Sequence, residues 1–306
     1  MGLRIRTNIS SINAQRRLSG STRMLQSSMA KLSSGQRINK SADDAAGLAV
    51  SENLKADIRS LRMAKRNAND GISIVQTAEG GLTEISSMLI RLRELAVQGA
   101  SDTIGNKERE FLDKEYLQLK DEIDRISAST EFNGTRLLVG KTEMPEDMGS
   151  ADNSFPLEIQ VSKDYYSDTD GIEKRNPVNI IKIDFGSLNA FTHGEGSLSI
   201  GEHEDGTRVN TKVSAQNSIS ILDEAIYKVN DYRSYLGSIQ NRLVSSSNNL
   251  DVQAENLMEA QSRIRDTDFA AETAQMTQAN ILQQAGTSVL SQANAQPQIA
   301  LSLLQG

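Results

Sequence analysis

Stepping by seven from Leu222 meets Val229, Leu236, Leu243, Leu250, Leu257 and Ile264, an unbroken apolar column; Ala225, Tyr232, Ile239, Ser246, Gln253 and Ala260 follow three residues on in each repeat. A seven-residue repeat held this long draws an α-helix into a left-handed supercoil, so the pattern predicts one long helix with partners along its whole length. At about 1.5 Å per residue the seam measures roughly 65 Å, longer than an ordinary globular helix, and implies an elongated molecule. The second column turns small or polar towards its end. A self-sufficient two-chain coil would be apolar there, so the seam is expected to meet helices of its own chain.

Another column runs through Leu54, Leu61, Ala68, Val75, Leu82, Leu89 and Ala96, flanked by Ile58, Ile72, Ile85 and Leu92, and predicts a second long helix. Gly99 to Asn106 reads as a turn. From Lys107 to Ser129, Leu112, Tyr116, Leu119, Ile123 and Ile126 recur at alternating four-three spacing, a third helix antiparallel to the second because the connection is short. The predicted bundle core comprises Leu54, Leu61, Leu82, Leu89, Leu112, Leu119, Leu222, Leu236, Leu243, Leu250, Leu257 and Ile264. Three prolines, Pro145, Pro156 and Pro177, fall in one window where the period changes to β, with short strands expected at Phe155 to Val161, Val178 to Phe185 and Ser197 to Ile200.

The two ends differ in kind. Residues 1–42 carry eight Lys or Arg and no acid, with Leu18, Leu25 and Leu32 at heptad spacing. That basic amphipathic pattern fits a transit peptide, a membrane-surface helix or an assembly segment. From Thr273 to Gly306 there is no charged residue; Met276, Ile281, Leu282, Val289, Leu290, Ile299, Leu301, Leu303 and Leu304 are interleaved with ten Asn or Gln. Ordering an isolated tail costs about 1–2 kcal/mol per residue in backbone entropy, so both tails are expected to be mobile in a free monomer and helical where neighbouring copies cover them. The fold class expected is mainly α: an elongated antiparallel coiled-coil or helix-bundle rod with paired terminal helices and a small β segment inserted mid-chain. Its segments are 1–43, 44–140, 141–215, 216–265 and 266–306.

A net charge of −7 argues against nucleic-acid binding, which needs a basic face. The absence of cysteine removes disulfide and zinc-thiolate chemistry. No apolar run follows the early arginines as in a cleaved secretory signal, and no stretch is long and apolar enough to insert in a membrane. His193 and His203 lie among Glu195, Glu202, Glu204 and Asp205, but a solvated turn between strands accounts for them without a metal. Tyr166 to Gly171 imitates a calcium loop with Tyr in place of the first carboxylate and Pro177 in place of the bidentate Glu. No catalytic motif occurs, so no enzyme activity, cofactor or metal is expected.

Several motifs resemble the amino-terminal region of bacterial flagellin: Lys31-Leu-Ser-Ser-Gly35, Arg37-Ile-Asn39, Asp43-Asp-Ala-Ala-Gly-Leu-Ala49, Asn67-Ala-Asn-Asp-Gly-Ile-Ser73, Gln76-Thr-Ala-Glu-Gly80, Arg93-Glu-Leu-Ala-Val-Gln98 and Glu131-Phe-Asn-Gly134. Ser262-Arg-Ile-Arg-Asp266, Asn280-Ile-Leu-Gln-Gln-Ala285, Gln292-Ala-Asn294 and Gln296-Pro-Gln298 resemble the carboxy-terminal region. Gln36 departs from the usual Leu. The resemblance implies a structural subunit that polymerises into the helical flagellar filament used for swimming, secreted unfolded through the flagellar type III system. It disfavours the transit peptide. It makes 1–43 and 266–306 an inner core domain, 44–140 and 216–265 an outer core domain, and 141–215 a hairpin plus variable segment. Subunit contacts are expected at Leu18, Leu25, Leu32, Ile281, Leu282, Val289, Leu290, Leu301 and Leu304. The partners implied are further copies of the chain, an export chaperone on the carboxy-terminal tail, and filament cap and hook-junction proteins. Some flagellins are recognised by Toll-like receptor 5 through positions matching Arg91, Leu95 and Glu115. The alternatives are a hook–filament junction protein or another helical type III-exported adaptor.

Overall fold

A computed structural model describes residues 8–140, 155–164, 179–194, 196–201 and 206–305, with 297–305 as backbone only. It is mainly helical: α1 (Ile9–Ser34), α2 (Ala45–Gly99), α3 (Asn106–Ser129), α4 (Lys212–Arg265) and α5 (Phe269–Gln305), with strands β1 (Glu131–Phe132), β2 (Thr135–Arg136), β3 (Leu157–Gln160) and β4 (Ile180–Ile183). The chain divides into two compact units, one of Met1–Ile58 with Glu255–Gly306 and the other of Arg59–Ala254.

In the unit Arg59–Ala254 the heptad columns become a core. Leu61, Val75, Leu82, Leu89, Leu222, Leu236, Leu243 and Leu250 are all buried. Ion pairs Arg93–Asp223 (2.6 Å) and Lys65–Asp251 (2.7 Å) flank the antiparallel α2–α4 seam in solvent, where such pairs add little stability. Two helical glycines mark close approaches. A β-carbon at Gly71 would stand 3.3 Å from a Leu243 methyl and 3.4 Å from Ile159; one at Gly81 would collide with Thr130 and Leu138. The β pieces seal this core. Asn133 (φ 51) and Gly134 (φ 80) make the two-residue turn of the β1–β2 hairpin, a geometry whose twist suits antiparallel strands. β3 and β4 pair antiparallel, with Leu157 against Ile183 and Ile159 against Ile181 on the core face, while Glu158 and Lys182 (2.7 Å) pair on the other. The strand expected at 197–200 does not form. Leu198 and Ile200 are buried, but between them Ser199 is left-handed (φ 59), out of the extended conformation a strand needs.

The buried face of α3 differs from the expected one. Tyr116 and Ile123 are fully buried and Leu117 nearly so, whereas Leu112, Leu119 and Ile126 are half-buried; Arg109, Asp113, Lys120 and Ser127 take the other inward positions. Each finds a partner in backbone that crosses the helix. Arg109 donates to the carbonyls of Gly99 and Ser101, both at 2.8 Å, and so staples the α2–α3 turn. Asp113 accepts from the Val209 amide (3.0 Å) and from Arg208 (2.7 Å); the Tyr116 hydroxyl donates to Thr207 Oγ1 (2.7 Å), and Ser127 donates to the Ala190 carbonyl (2.9 Å). Asp124 receives both the amide and the hydroxyl of Thr192. Buried polar groups persist only when paired in this way. Burial pushes Tyr116 up to about 12, pulls Lys120 down to about 8 and raises Asp124.

In the other unit, Asn8 caps α1 by accepting from the Ser11 amide (3.1 Å), and Gly35 ends it in the left-handed region (φ 69) that favours glycine. Asp44 accepts from the Gly47 amide (2.9 Å) at the start of α2. α1 and α5 lie side by side with Cα atoms within 8 Å. Leu54, Leu257 and Ile264, expected in the bundle core, belong to this unit and are half-buried.

Candidate assembly surface

The α1–α5 pair is built on small side chains. Ala14, Ser21 and Ser28 on α1, seven apart, and Glu272, Ala279 and Ala293 on α5, also on heptad steps, are the buried positions. Gly286 completes the α5 column, and a β-carbon there would stand 3.3 Å from Leu18 Cδ1. Small residues at the seam allow the close approach of the two backbones. Polar contacts sit at its ends: Asn8 Nδ2 donates to the Ala293 carbonyl (2.7 Å), Ser11 Oγ donates to Asn294 Oδ1 (2.7 Å), and Lys31 Nζ lies 3.6 Å from Glu272 Oε2.

Two small columns cannot cover the apolar side chains around them. Among the expected contact residues, Ile281 (60% exposed), Leu282 and Val289 point to solvent. Leu18, Leu25, Leu32 and Leu290 are half-buried, and Leu18 is already used inside the chain against Gly286. Leu301 and Leu304 lie in the backbone-only stretch of α5. Ile9, Ile12, Met24, Met29 and Phe269 are exposed too and were not singled out from sequence, because scattered single apolar residues carry no periodic signal. A groove of about 560 Å³ on α5 is lined by Ala270, Thr273, Ala274, Thr277, Gln278, Ile281 and Leu282. Gln275, Gln278, Gln284, Gln292 and Gln296 are also exposed on this helix.

The crossing from α1 to α2 is tied to the crossing from α4 to α5. The Arg37 amide donates to the Arg265 carbonyl (2.7 Å), the Thr267 amide to the Gly35 carbonyl (3.0 Å), and Arg37 Nη2 to the Ile264 carbonyl (2.7 Å). Arg265 Nε donates to Gln36 Oε1 (3.0 Å), an interaction that leucine could not make, and its guanidinium also meets Glu52, holding that carboxyl below its ordinary range. Backbone hydrogen bonds from Lys40 and Asn39 hold the Asp43 carboxyl low as well.

On the Arg59–Ala254 unit, Arg91 Nε and Nη2 reach Glu115 Oε1 at 2.9 and 2.7 Å, and Nη1 reaches Glu94 at 3.0 Å. The carboxylates, Glu115 foremost, raise the guanidinium's proton affinity. Leu95, grouped with them from sequence as a receptor contact, is fully buried; it packs beneath the face and offers a partner no surface. Among the described residues no group of three or more His, Asp or Glu could hold a metal, and no helix is long and apolar enough to cross a membrane. His193 stands 3.9 Å from Asp124; His203 and the calcium-loop-like 166–171 lie outside the described residues.

Residues 5–143 match the family model of the bacterial flagellin N-terminal helical region, and residues 219–304 that of the C-terminal helical region. Flagellin of Bacillus subtilis (strain 168) is 40% identical over 316 residues, covering 99% of this chain and 100% of that protein. The chain belongs to the bacterial flagellin family. As a flagellin it is a structural protein, a subunit of the flagellar filament. Flagellin A of Vibrio anguillarum is 37% identical over 379 residues, spanning both chains in full. The crystal structure of Bacillus cereus flagellin overlies 64% of this chain and 94% of its own, with 33% identity and a TM-score of 0.46.

Proposed function

We propose that this flagellin polymerises through its terminal pair, with 1–43 and 266–306 forming an inner core domain along the filament channel. Segments 44–140 and 216–265 form the outer core domain, and 141–215 contributes a hairpin and a short variable segment. The observation that carries this reading is the apolar side of α5 left bare by its own chain: Ile281, Leu282 and Val289 beside the groove. Repeated head-to-tail contacts that do not close into a ring produce a helical filament. The exposed amides of α5 that lie off this groove, Gln284 foremost, then face the channel, an uncharged hydrogen-bonding wall past which unfolded chains travel. The chain reaches the cell exterior unfolded through the flagellar type III apparatus, guided by uncleaved amino-terminal signals. A chaperone covers the bare face of α5 before assembly, and cap and hook-junction proteins meet it at the two ends of the filament.

Arg91 and Glu115 form the exposed part of a face open to Toll-like receptor 5, with Leu95 supporting it from below. The assembly reading is tested by electron microscopy of seeded protein carrying Ile281→Glu and Val289→Glu. Filaments should disappear while the cooperative melting of the bundle stays intact; normal filaments from the double variant would refute the assignment.

A further inference from the structure

The β1–β2 turn joins a conformational need to a chemical hazard. Asn133 suits a left-handed position, and it is the only asparagine of the chain that glycine follows. Both turn residues are exposed, and a β-carbon on Gly134 would meet nothing within 4 Å. With no side chain to shield it, the Gly134 amide nitrogen is free to attack the side-chain carbonyl carbon of Asn133. The bond that forms is Gly134 N to Asn133 Cγ, and the bond that breaks is Cγ–Nδ2; the Gly134 amide proton leaves with the departing nitrogen as ammonia. The product is a five-membered succinimide. Water then opens it at Cγ to give aspartate, or at the main-chain carbonyl to give isoaspartate, whose main chain runs through Cβ. One water enters, one ammonia leaves, and nothing is oxidised or reduced.

The folded turn blocks the first step. Ring closure needs Gly134 N eclipsed with Asn133 Cβ about the Cα–C bond. Phe132 pairs with Thr135 across a two-residue loop whose residues both have positive φ, 51 and 80, the type I′ form. The first residue of such a turn has ψ of about +30°, which sets that nitrogen and Cβ roughly 150° apart. The strands that hold this geometry are two residues each, and a hairpin that short does not stand alone in water. The bundle supplies the anchorage. Thr130 donates from its amide and its hydroxyl to the Ile126 carbonyl (2.9 and 2.7 Å), the Leu137 amide donates to the Thr130 carbonyl (3.1 Å), and Leu137 and Leu138 are fully buried in the core. Reaching the reactive geometry therefore means opening the hairpin, and the free energy of that opening adds to the barrier.

We propose that Asn133 is a deamidation site closed by the fold: it reacts while the chain is unfolded, is protected once the hairpin is anchored, and so records time spent unfolded. The two products differ in consequence. Aspartate before glycine fits the same turn, whereas isoaspartate lengthens the main chain by one carbon and cannot rebuild a two-residue loop.

The test follows isoaspartate and aspartate at position 133 by peptide mapping and mass spectrometry, in full-length protein aged at one temperature and pH, folded in buffer or unfolded in guanidinium chloride. The unfolded chain should deamidate at least about tenfold faster than the folded one; a smaller ratio, or no reaction at Asn133 in the unfolded chain, overturns the proposal. Leu138→Ala removes part of the anchorage and is compared with the parent in the same buffer, which sets aside any effect of the denaturant. Deamidation should rise by at least about threefold in this variant, and an unchanged rate overturns the proposal. After refolding, the aspartate fraction should melt as the Asn133→Asp protein does and the isoaspartate fraction lower; equal melting of the two would refute the claim that the lesion marks the chain.

Discussion

The two units of this chain spend their apolar residues in opposite ways. Between Arg59 and Ala254, the heptad side chains Leu82, Leu89, Leu236 and Leu243 belong to one cluster and leave almost no surface, although Phe111, Val213 and Tyr227 stay exposed. Three charged residues of α3, Arg109, Asp113 and Lys120, are turned inward and paired. In the terminal unit the seam goes to Ala, Ser and Gly, and the larger apolar residues stay outside or half covered. The difference concerns where burial is completed. Burying a leucine-sized side chain contributes about 1.5–3 kcal/mol; the bundle collects that within one chain, and the terminal pair can collect it only against another surface. A unit designed for assembly thus looks, on its own, like a deficient core.

Removing residues 273–306 separates the two units most sharply. The bundle should keep its cooperative melting by circular dichroism, and sedimentation after seeding should find no polymer; loss of the bundle transition would mean that α5 serves the fold of both units. Leu243→Glu attacks the other side of the comparison. Leu243 is fully buried beside Gly71, and the change forfeits roughly 1.5–3 kcal/mol of burial and adds a carboxylate that must be desolvated or expelled. The bundle should lose its cooperative transition, and an unaltered melting temperature would show that the α4 column is not its core.

A further contrast lies between Leu95 on α2 and Glu115 on α3. Leu95→Ala empties a fully buried site and should destabilise the bundle by about 2–5 kcal/mol. Glu115→Ala removes a solvent-exposed partner of Arg91 and should leave the melting curve unmoved. If receptor signalling by reporter cells falls for Glu115→Ala while melting and filaments stay normal, the exposed pair is read by the receptor directly; unchanged signalling would remove it from that face.

The least conspicuous prediction concerns pH. The folded chain holds the Lys120 proton less tightly than the unfolded chain does, with the folded value near 8, so the bundle should gain stability as pH rises from about 8 towards the ordinary lysine value. The gain is at most about 3 kcal/mol. Tyr116, pushed up to about 12, acts in the opposite sense: the folded chain keeps its proton longer, and stability is lost as pH climbs from the ordinary tyrosine value of about 10 towards 12. Chemical denaturation should find a maximum near pH 10, and Lys120→Met should flatten the rise between 8 and 10. An equally steep rise in that variant would assign the pH dependence to another group.

The sequence alone determined the helices, the β window between them and the bundle columns, because heptad and alternating patterns follow from backbone geometry and need no partner to be seen. The leucines from Leu222 to Leu250 went where their spacing sends them. The small columns, Ala14–Ser21–Ser28 and Ala279–Gly286–Ala293, were present in the same periodicity, but hydrophobicity ranks such residues as neutral and their role emerges only when a second helix comes close. Tertiary structure alone decided that Asp113, Lys120 and Ser127 of α3 turn inward while Leu112 and Leu119 are only half covered. It also carried Leu257 and Ile264 out of the bundle into the terminal unit and buried Leu95 beneath the face it was expected to form. The physical reason is shared: a polar side chain can be buried when backbone such as that of Ala190, Thr207 and Val209 meets its hydrogen bonds, and an apolar one stays exposed when nothing lies over it. Burial belongs to two surfaces, and a linear pattern describes one.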